Sequence, residues 1–498
     1  MKQATQEILR QYEQLFEARK KDILEAQDAL EIRGVTYYVS NAGDDEKDGR
    51  TPENAWKTLK RVSEAYLHPG DGVLFQRGNL FRGSVQTCPG VSYGAYGEGE
   101  KPKFYGGAFS LADPALWEAV DPEYHIWKCT QKMPDAGTLV FNDGEEHSRK
   151  LIPSYKNLQF VCREDENRPF VMAEEMTKDL DLFCRYDGLL TRSPSKGEEF
   201  PVPCFLEESK GDLFLRCDRG NPGEVFNEIE SVARTHMFKV GENSDVTIDN
   251  VCIKYVGMHG VAAGGHVKNL QVTNCEMGWI GGSIQHYLGT DPNYPQGGRG
   301  TVTRFGNAIE IYGGCEHYTA ANNYIYQVYD AAITHQITTN RKVIMRDILY
   351  RGNVIEKCVY GIEYFLDQID GERESCRDGV VMEDNFIRLG GYGWGQQRHN
   401  IDTPALIKGW SYVNTARNYR ICCNIFDRCA YRLLHLVAQK DAYCPALQEN
   451  TFIQHLGGRI GQYGGNEIAE PENMRFDQNA EDKIRNVLGD KTAEIYYI

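Results

Sequence analysis

Residues 380–387 read VVMEDNFI, and the same outline returns as VTIDNVCI (246–253), LQVTNCEM (270–277), YTAANNYI (318–325), RGNVI (351–355), YRICCNIF (419–426) and LQENTFI (447–453). Apolar residues run into an asparagine and then into further apolar residues. The asparagines are Asn250, Asn274, Asn323, Asn353, Asn385, Asn424 and Asn450, spaced by 24, 49, 30, 32, 39 and 26 residues. The shortest spacing reads as one period, 49 as two, and the others as one period plus loop. Short strands broken by Asn and Gly at this period predict a parallel β-solenoid, each coil about 4.8 Å from the last. An asparagine inside each turn can bond its neighbours in a ladder. The competing reading is a β-sandwich with unrelated asparagines.

Outward from this repeat, five regions are read: 1–34, 35–109, 110–235, 236–466 and 467–498. In the first, Ile8, Tyr12, Leu15, Phe16, Ile23 and Leu30 fall near one helical stripe, predicting an amphipathic helix that caps the open N-terminal end. Region 35–109 holds the first coils, 110–235 a β-rich insertion, and 236–466 the main coils. The polar tail from 467 is expected to fold back along the side.

Hydrophobic residues make up 41% of the 498, enough for a substantial core, and the net charge of −16 argues against nucleic acid or an anionic membrane as partner. The charged opening of the chain lacks the apolar stretch of a signal peptide, and no run approaches a membrane span. Fifteen cysteines without a CxxC pair suggest a reducing cytoplasm, and self-association is left open. No metal or cofactor is expected. The acidic turn Asp44–Gly49 has Ala55 where a calcium loop needs glutamate, and GGYGWGQQ (390–397) opens no helix after a strand.

The stretch 36–83, with its AWKTL helix and PGDGVLF strand, resembles the opening of right-handed parallel β-helix proteins of the pectate-lyase-like superfamily. HIWKC (125–129), LVFNDG (139–144), DLFLRC (212–217), NPGEVFNEIE (221–230) and VTIDNVCI further resemble the β-helical β-xylosidase group of glycoside hydrolases. The resemblance spans roughly 35–465 and implies an all-β, right-handed parallel β-helix acting on carbohydrate. It does not carry over any family's catalytic residues, because folds of this kind host hydrolases, lyases, epimerases and tailspikes.

The strand pattern itself selects candidates. In GNAIEIY (306–312) and YGIEYF (360–365) a glutamate stands between large strand-forming residues. Side chains alternate along a strand, so Ile309, Ile311, Ile362 and Tyr364 face inward while Glu310 and Glu363 face out. DAAITHQ (330–336) supplies the coil between, with Ile333 inward and Ala332, Thr334 and Gln336 outward. Counting from Asn323 and Asn353 puts Glu310, Thr334 and Glu363 in one outward column. Ala308, Ala332 and Gly361 would floor a groove; Tyr312, Gln336 and Phe365 would flank it; Asp330 and Asp367 lie to either side. Such a trench suits a sugar chain, whose faces stack on rings and whose hydroxyls need donors and acceptors. His286, His335, Arg304 and a rim residue, Trp394, complete the candidate binding set, with 288–300 as a rim loop.

A glycoside hydrolase needs one carboxylic acid and one carboxylate, and Glu310, Asp330 and Glu363 are the catalytic candidates on an oligosaccharide substrate. The alternative is a polysaccharide lyase or uronate epimerase, for which Arg304, Arg398 and Lys408 could neutralise a substrate carboxylate. A further alternative is a carbohydrate-binding solenoid without turnover. For either glutamate alone, a solvent-facing strand position is the plainer reading.

Overall fold

The computed structural model describes residues 2–498 apart from 152, 155–158, 161–174, 186–209, 288–301, 369–374, 399–403, 412–414, 439–443, 465 and 469–477. One coil of the repeat runs through strands Tyr324–Val328, Ala331–Thr339 and Ile344–Arg351, and the next through Val354–Glu356, Tyr360–Gln368 and Cys376–Glu383. Phe386–Gly390, Ala405–Ser411 and Thr415–Cys422 form the coil after that. Each strand pairs in parallel with its counterpart one coil on, so three walls rise along a β-solenoid. Inward residues such as Ile325, Ile333, Ile348, Ile355 and Ile362 merge into one continuous apolar core.

The asparagine ladder stands at the corner between the third wall and the first. Asn323 Nδ2 donates to Asn353 Oδ1 (3.0 Å), Asn353 to Asn385 (2.9 Å), Asn385 to Asn424 (2.9 Å) and Asn424 to Asn450 (3.1 Å). Asp490 terminates it by accepting from Asn450. Asn250 and Asn274 do not belong to it. They take the preceding turn position, at φ 59° and 51°, which Asn322, Gly352 and Asp384 occupy in later coils. Asparagine, aspartate and glycine tolerate that left-handed conformation, and Val251 and Cys275 stand at the ladder position in the two early coils.

The amphipathic helix Gln6–Leu24 is present, capped by the Thr5 side chain, but it does not close the N-terminal end. It lies along the flank of the first wall, burying Phe16 and Ile23 against Tyr324, Val354, Phe386 and Ile425. These are outward apolar residues of successive coils. Phe16 meets Phe386 edge-on at 5.1 Å under the Arg388 guanidinium. Phe16→Ala is expected to cost about 3 kcal/mol in urea unfolding, the usual scale for emptying a buried phenylalanine site.

The tail also departs from expectation. Helix Gln478–Leu488 buries Ile484 and Leu488 in the main core, and strand Glu494–Tyr497 adds in parallel to Thr451–Gln454. Strand Lys2–Gln3 then pairs with Glu494–Tyr497, so the first residues of the chain complete the last rung of the first wall. Within 110–235, strands Trp117–Asp121, Ile126–Cys129, Asp181–Arg185 and Lys210–Arg216 form a separate antiparallel sheet over its own apolar cluster. Among the described residues no helix is long and apolar enough to cross a membrane.

Candidate active site

The second wall carries most of the candidate residues. Ala262 pairs with Glu310, Thr334 with Glu363, and Glu363 with Lys408; Ile309 opposite Ile333 sets the register between. Glu310, Thr334, Glu363 and Lys408 therefore form one outward column on four successive rungs. Tyr312, Gln336, Phe365 and Trp410 form the parallel column two residues on. All of these except Thr334 line a cavity of about 730 Å³, joined by Asp330, Arg398, Asn307, His236, His259, Gln285 and Phe305.

Glu310 lies beneath the surface of this cavity, only 5% exposed. Asn307 Nδ2 donates to Oε2 at 2.7 Å, Gln336 Nε2 to Oε1 at 3.1 Å, and Thr334 Oγ1 makes a third, short bond. Burial pushes its carboxyl up to about 6, against the pull of those hydrogen bonds, and the charge of Asp330 adds to the rise. Gln336 Oε1 is a buried acceptor with no partner among the described residues.

The other two carboxylates have cations. Lys408 Nζ lies 3.1 Å from Glu363 Oε1, and Arg398 pairs with Asp330. Burial raises the Glu363 carboxyl, with Lys408 and Arg398 opposing. Burial alone would lower the Lys408 ammonium, yet Glu363 holds it above its ordinary value, so the cation of this pair keeps its proton. Lys408 also sits 4.1 Å over the Tyr360 ring and 5.2 Å over Trp410. Among the described residues, the arrangement gives one buried carboxyl without a cation and two with one.

Phe365 and Trp410 stack at 4.4 Å and 10°, and Trp410 Nε1 donates to Asp367 at 2.8 Å. Asp367 thus fixes the indole beside the cavity rather than lining it. Tyr312 is the most open of the lining rings, 46% exposed. Ala308, Ala332 and Gly361 are not a groove floor. The chain turns the corner between first and second walls there, which places Ala308 and Ala332 in the core; a Cβ on Gly361 would lie 2.5 Å from Ile387 Cγ2. Ala262 and Gly264, on the rung before Glu310, provide the small residues instead.

Three further expectations are corrected. His335 faces inward, as alternation around Thr334 requires, stacked on Tyr364 at 5.3 Å and bonded to the Tyr350 hydroxyl at 2.9 Å. Trp394 is core, 2% exposed, packed on Tyr329 and against Gly282, whose φ of 80° and missing Cβ leave room for the indole. Arg304 is a brace: Nε donates to Gly282 O at 2.7 Å and Nη2 to Gly137 O at 2.9 Å, joining the solenoid to the inserted region. His286 belongs to strand Ser283–Tyr287, but its side chain and the loop 288–300 lie outside the described residues.

Sequence reading missed Asn307, His236 and His259. They stand at the corner before the second wall, where no strand alternation announces them. Asn307 positions Glu310 directly and accepts the Ala331 N–H at 2.8 Å.

No family model matches the chain. A lacto-N-biosidase of Bifidobacterium longum subsp. longum is 36% identical over 81 residues, which are 14% of this chain and 5% of that protein, so the chain spans only a small part of that relative's length. Among solved structures, the complex of XylC with xylose is similar over 93% of this chain and 83% of its own, at 11% identity and a TM-score of 0.41. A GH136 lacto-N-biosidase from Eubacterium ramulus is similar over 99% of this chain and 71% of its own, at 12% identity and a TM-score of 0.34.

Proposed function

We propose that the protein is a glycoside hydrolase acting on an oligosaccharide, with Glu310 as general acid and Glu363 as general base. The observation that carries this reading is the set of three buried carboxylates on three successive rungs around one cavity, two of them paired with a cation and, among the described residues, one not. A carboxyl near 6 holds a proton in mildly acidic solution and can give it to the glycosidic oxygen as the C–O bond breaks. Glu363 takes the proton of the water whose oxygen bonds to the anomeric carbon. The 36% identical segment shared with a lacto-N-biosidase supports a glycosidic bond as the target.

Two rungs separate Glu310 from Glu363, about 9.6 Å between backbones. That is near the upper end of the roughly 6.5–9.5 Å carboxyl separation of inverting enzymes. The first sugar product is therefore expected with inverted anomeric configuration by NMR, and Glu363→Gln is expected to lose at least about a hundredfold in rate. A retained anomer would move the second role to Asp330, one rung from Glu310. Full activity in the Glu363→Gln protein would reject the pair.

One observation favours a second reading. Arg398 and Lys408 both line the cavity, and a lyase acting on uronates needs positive charge at the substrate carboxylate. Each cation already faces a carboxylate of the protein, which ranks this second. Release of a UV-absorbing unsaturated uronate would reverse the order.

A further inference from the structure

Along the corner between the first and second walls, a second side-chain ladder leads into the cavity. His259 N donates to His236 Nδ1 at 3.2 Å, Asn307 N to His259 Nδ1 at 3.0 Å, and Ala331 N to Asn307 Oδ1 at 2.8 Å. Each side chain thus accepts the backbone N–H of the following rung. For the imidazoles this settles the tautomer: a ring nitrogen that accepts a backbone N–H carries no proton, so the proton of the neutral ring is on Nε2. The two rings stack at 5.1 Å and 10°, and Phe305 meets His259 edge-on at 5.1 Å, leaving the rings little freedom to turn.

Both histidines line the cavity on the Ala262 side of Glu310, and their Nδ1 atoms are bound to backbone. His259 Nε2 has no hydrogen-bond partner among the described residues, although the ring is only 9% exposed. Burial lowers His259 to about 4, against the opposing charge of Asp330, so the ring is a neutral donor rather than a cation. An oriented N–H that opens on the cavity is available to a ligand acceptor. This end of the cavity differs from the rung three beyond Glu310, where Lys408 and Trp410 stand.

We infer that His259, held and backed by His236, is a specificity-determining residue that donates from Nε2 to a hydroxyl of an uncharged sugar ring seated between Ala262 and Glu310. The inference rests on the glycoside hydrolase reading of the same cavity, and it assigns the uncharged ring to the histidine side of the acid. A hydroxyl oxygen suits a donor of no charge. A carboxylate there would face Glu310, and Arg398 is already paired with Asp330.

The test uses His259→Asn in the full chain. Asparagine already does the ladder's work one rung on, at Asn307, so the variant keeps an acceptor for the Asn307 N–H while withdrawing the Nε2 donor. Glucose, galactose, xylose, N-acetylglucosamine and glucuronate are the probes, each titrated into Glu310→Gln protein with and without His259→Asn. Long-range ¹H–¹⁵N spectra follow the imidazole nitrogens, and calorimetry follows affinity. The expected result is a shift of the His259 Nε2 resonance with at least one neutral sugar and none with glucuronate. Affinity for that sugar should fall about tenfold in the His259→Asn protein, the scale of one hydrogen bond, with unchanged thermal unfolding. Equal affinity with and without His259, glucuronate as the preferred probe, or no binding by any probe would overturn the inference. Neutral-sugar binding that depends on His259, in a protein whose parent hydrolyses no glycoside, would leave this site standing and remove the hydrolase reading.

Discussion

Glu310→Gln is expected to lower kcat/KM on an unactivated glycoside by about 10²–10⁴-fold, the usual contribution of general acid catalysis. Aryl glycosides with good leaving groups should lose far less, because their departure needs little protonation. The wild-type rate should fall as pH rises through about 6, where the buried carboxyl gives up its proton, and this limb should vanish in the variant. Stability follows the same group. The folded carboxyl is raised above its ordinary value of 4.5, so the folded state binds the proton more tightly. That contribution is fully present below the ordinary value and is lost as pH climbs through about 6, at about 2 kcal/mol. Unfolding of both proteins across about pH 4–7 measures it. A stability difference independent of pH would reject the buried-carboxyl account.

Asn385→Ala is expected to cost about 4 kcal/mol in equilibrium unfolding. Asn385 is fully buried; its Nδ2 donates to Tyr350 O (3.0 Å) and Asn424 Oδ1 (2.9 Å), and its Oδ1 accepts from Asn353 N (3.0 Å) and Asn353 Nδ2 (2.9 Å). Truncation strands several buried polar groups, each worth about 1–3 kcal/mol. Asn274→Gly is the control. Asn274 sits at φ 51°, off the ladder, where glycine is at ease, and loses one hydrogen bond, from its Nδ2 to Asp249 Oδ1 at 2.8 Å, so a smaller change of about 1 kcal/mol is expected. Comparable losses at the two positions would show that the ladder contributes no more than any turn.

The difference between those two asparagines also marks how far the sequence could be read. The period was legible because Asn323, Asn353, Asn385, Asn424 and Asn450 recur beside alternating strands, and that count gave the register in which Glu310, Thr334 and Glu363 share a column. Asn250 and Asn274 looked the same because the left-handed turn next door also favours asparagine. Strand alternation works within a wall and fails at its corners. It therefore misplaced Ala308, Ala332 and Gly361 and passed over Asn307, His236 and His259. Trp394 was misread because its glycine-rich surroundings resemble a surface loop, whereas here glycine makes space for the indole. The flank position of the helix Gln6–Leu24 was not legible either: an apolar stripe says that something is covered, not what.

That flank position sets an order of events at the ribosome. Tyr324, Val354, Phe386 and Ile425, which bury Phe16 and Ile23 of the helix Gln6–Leu24, are translated more than 300 residues after it. At about 5–20 residues per second, the stripe waits tens of seconds without its partner surface. Strand Lys2–Gln3 waits longer still, since the strand it pairs with is Glu494–Tyr497. The stripe thus finds its native place long after it is made, and during that interval it needs a chaperone's cover.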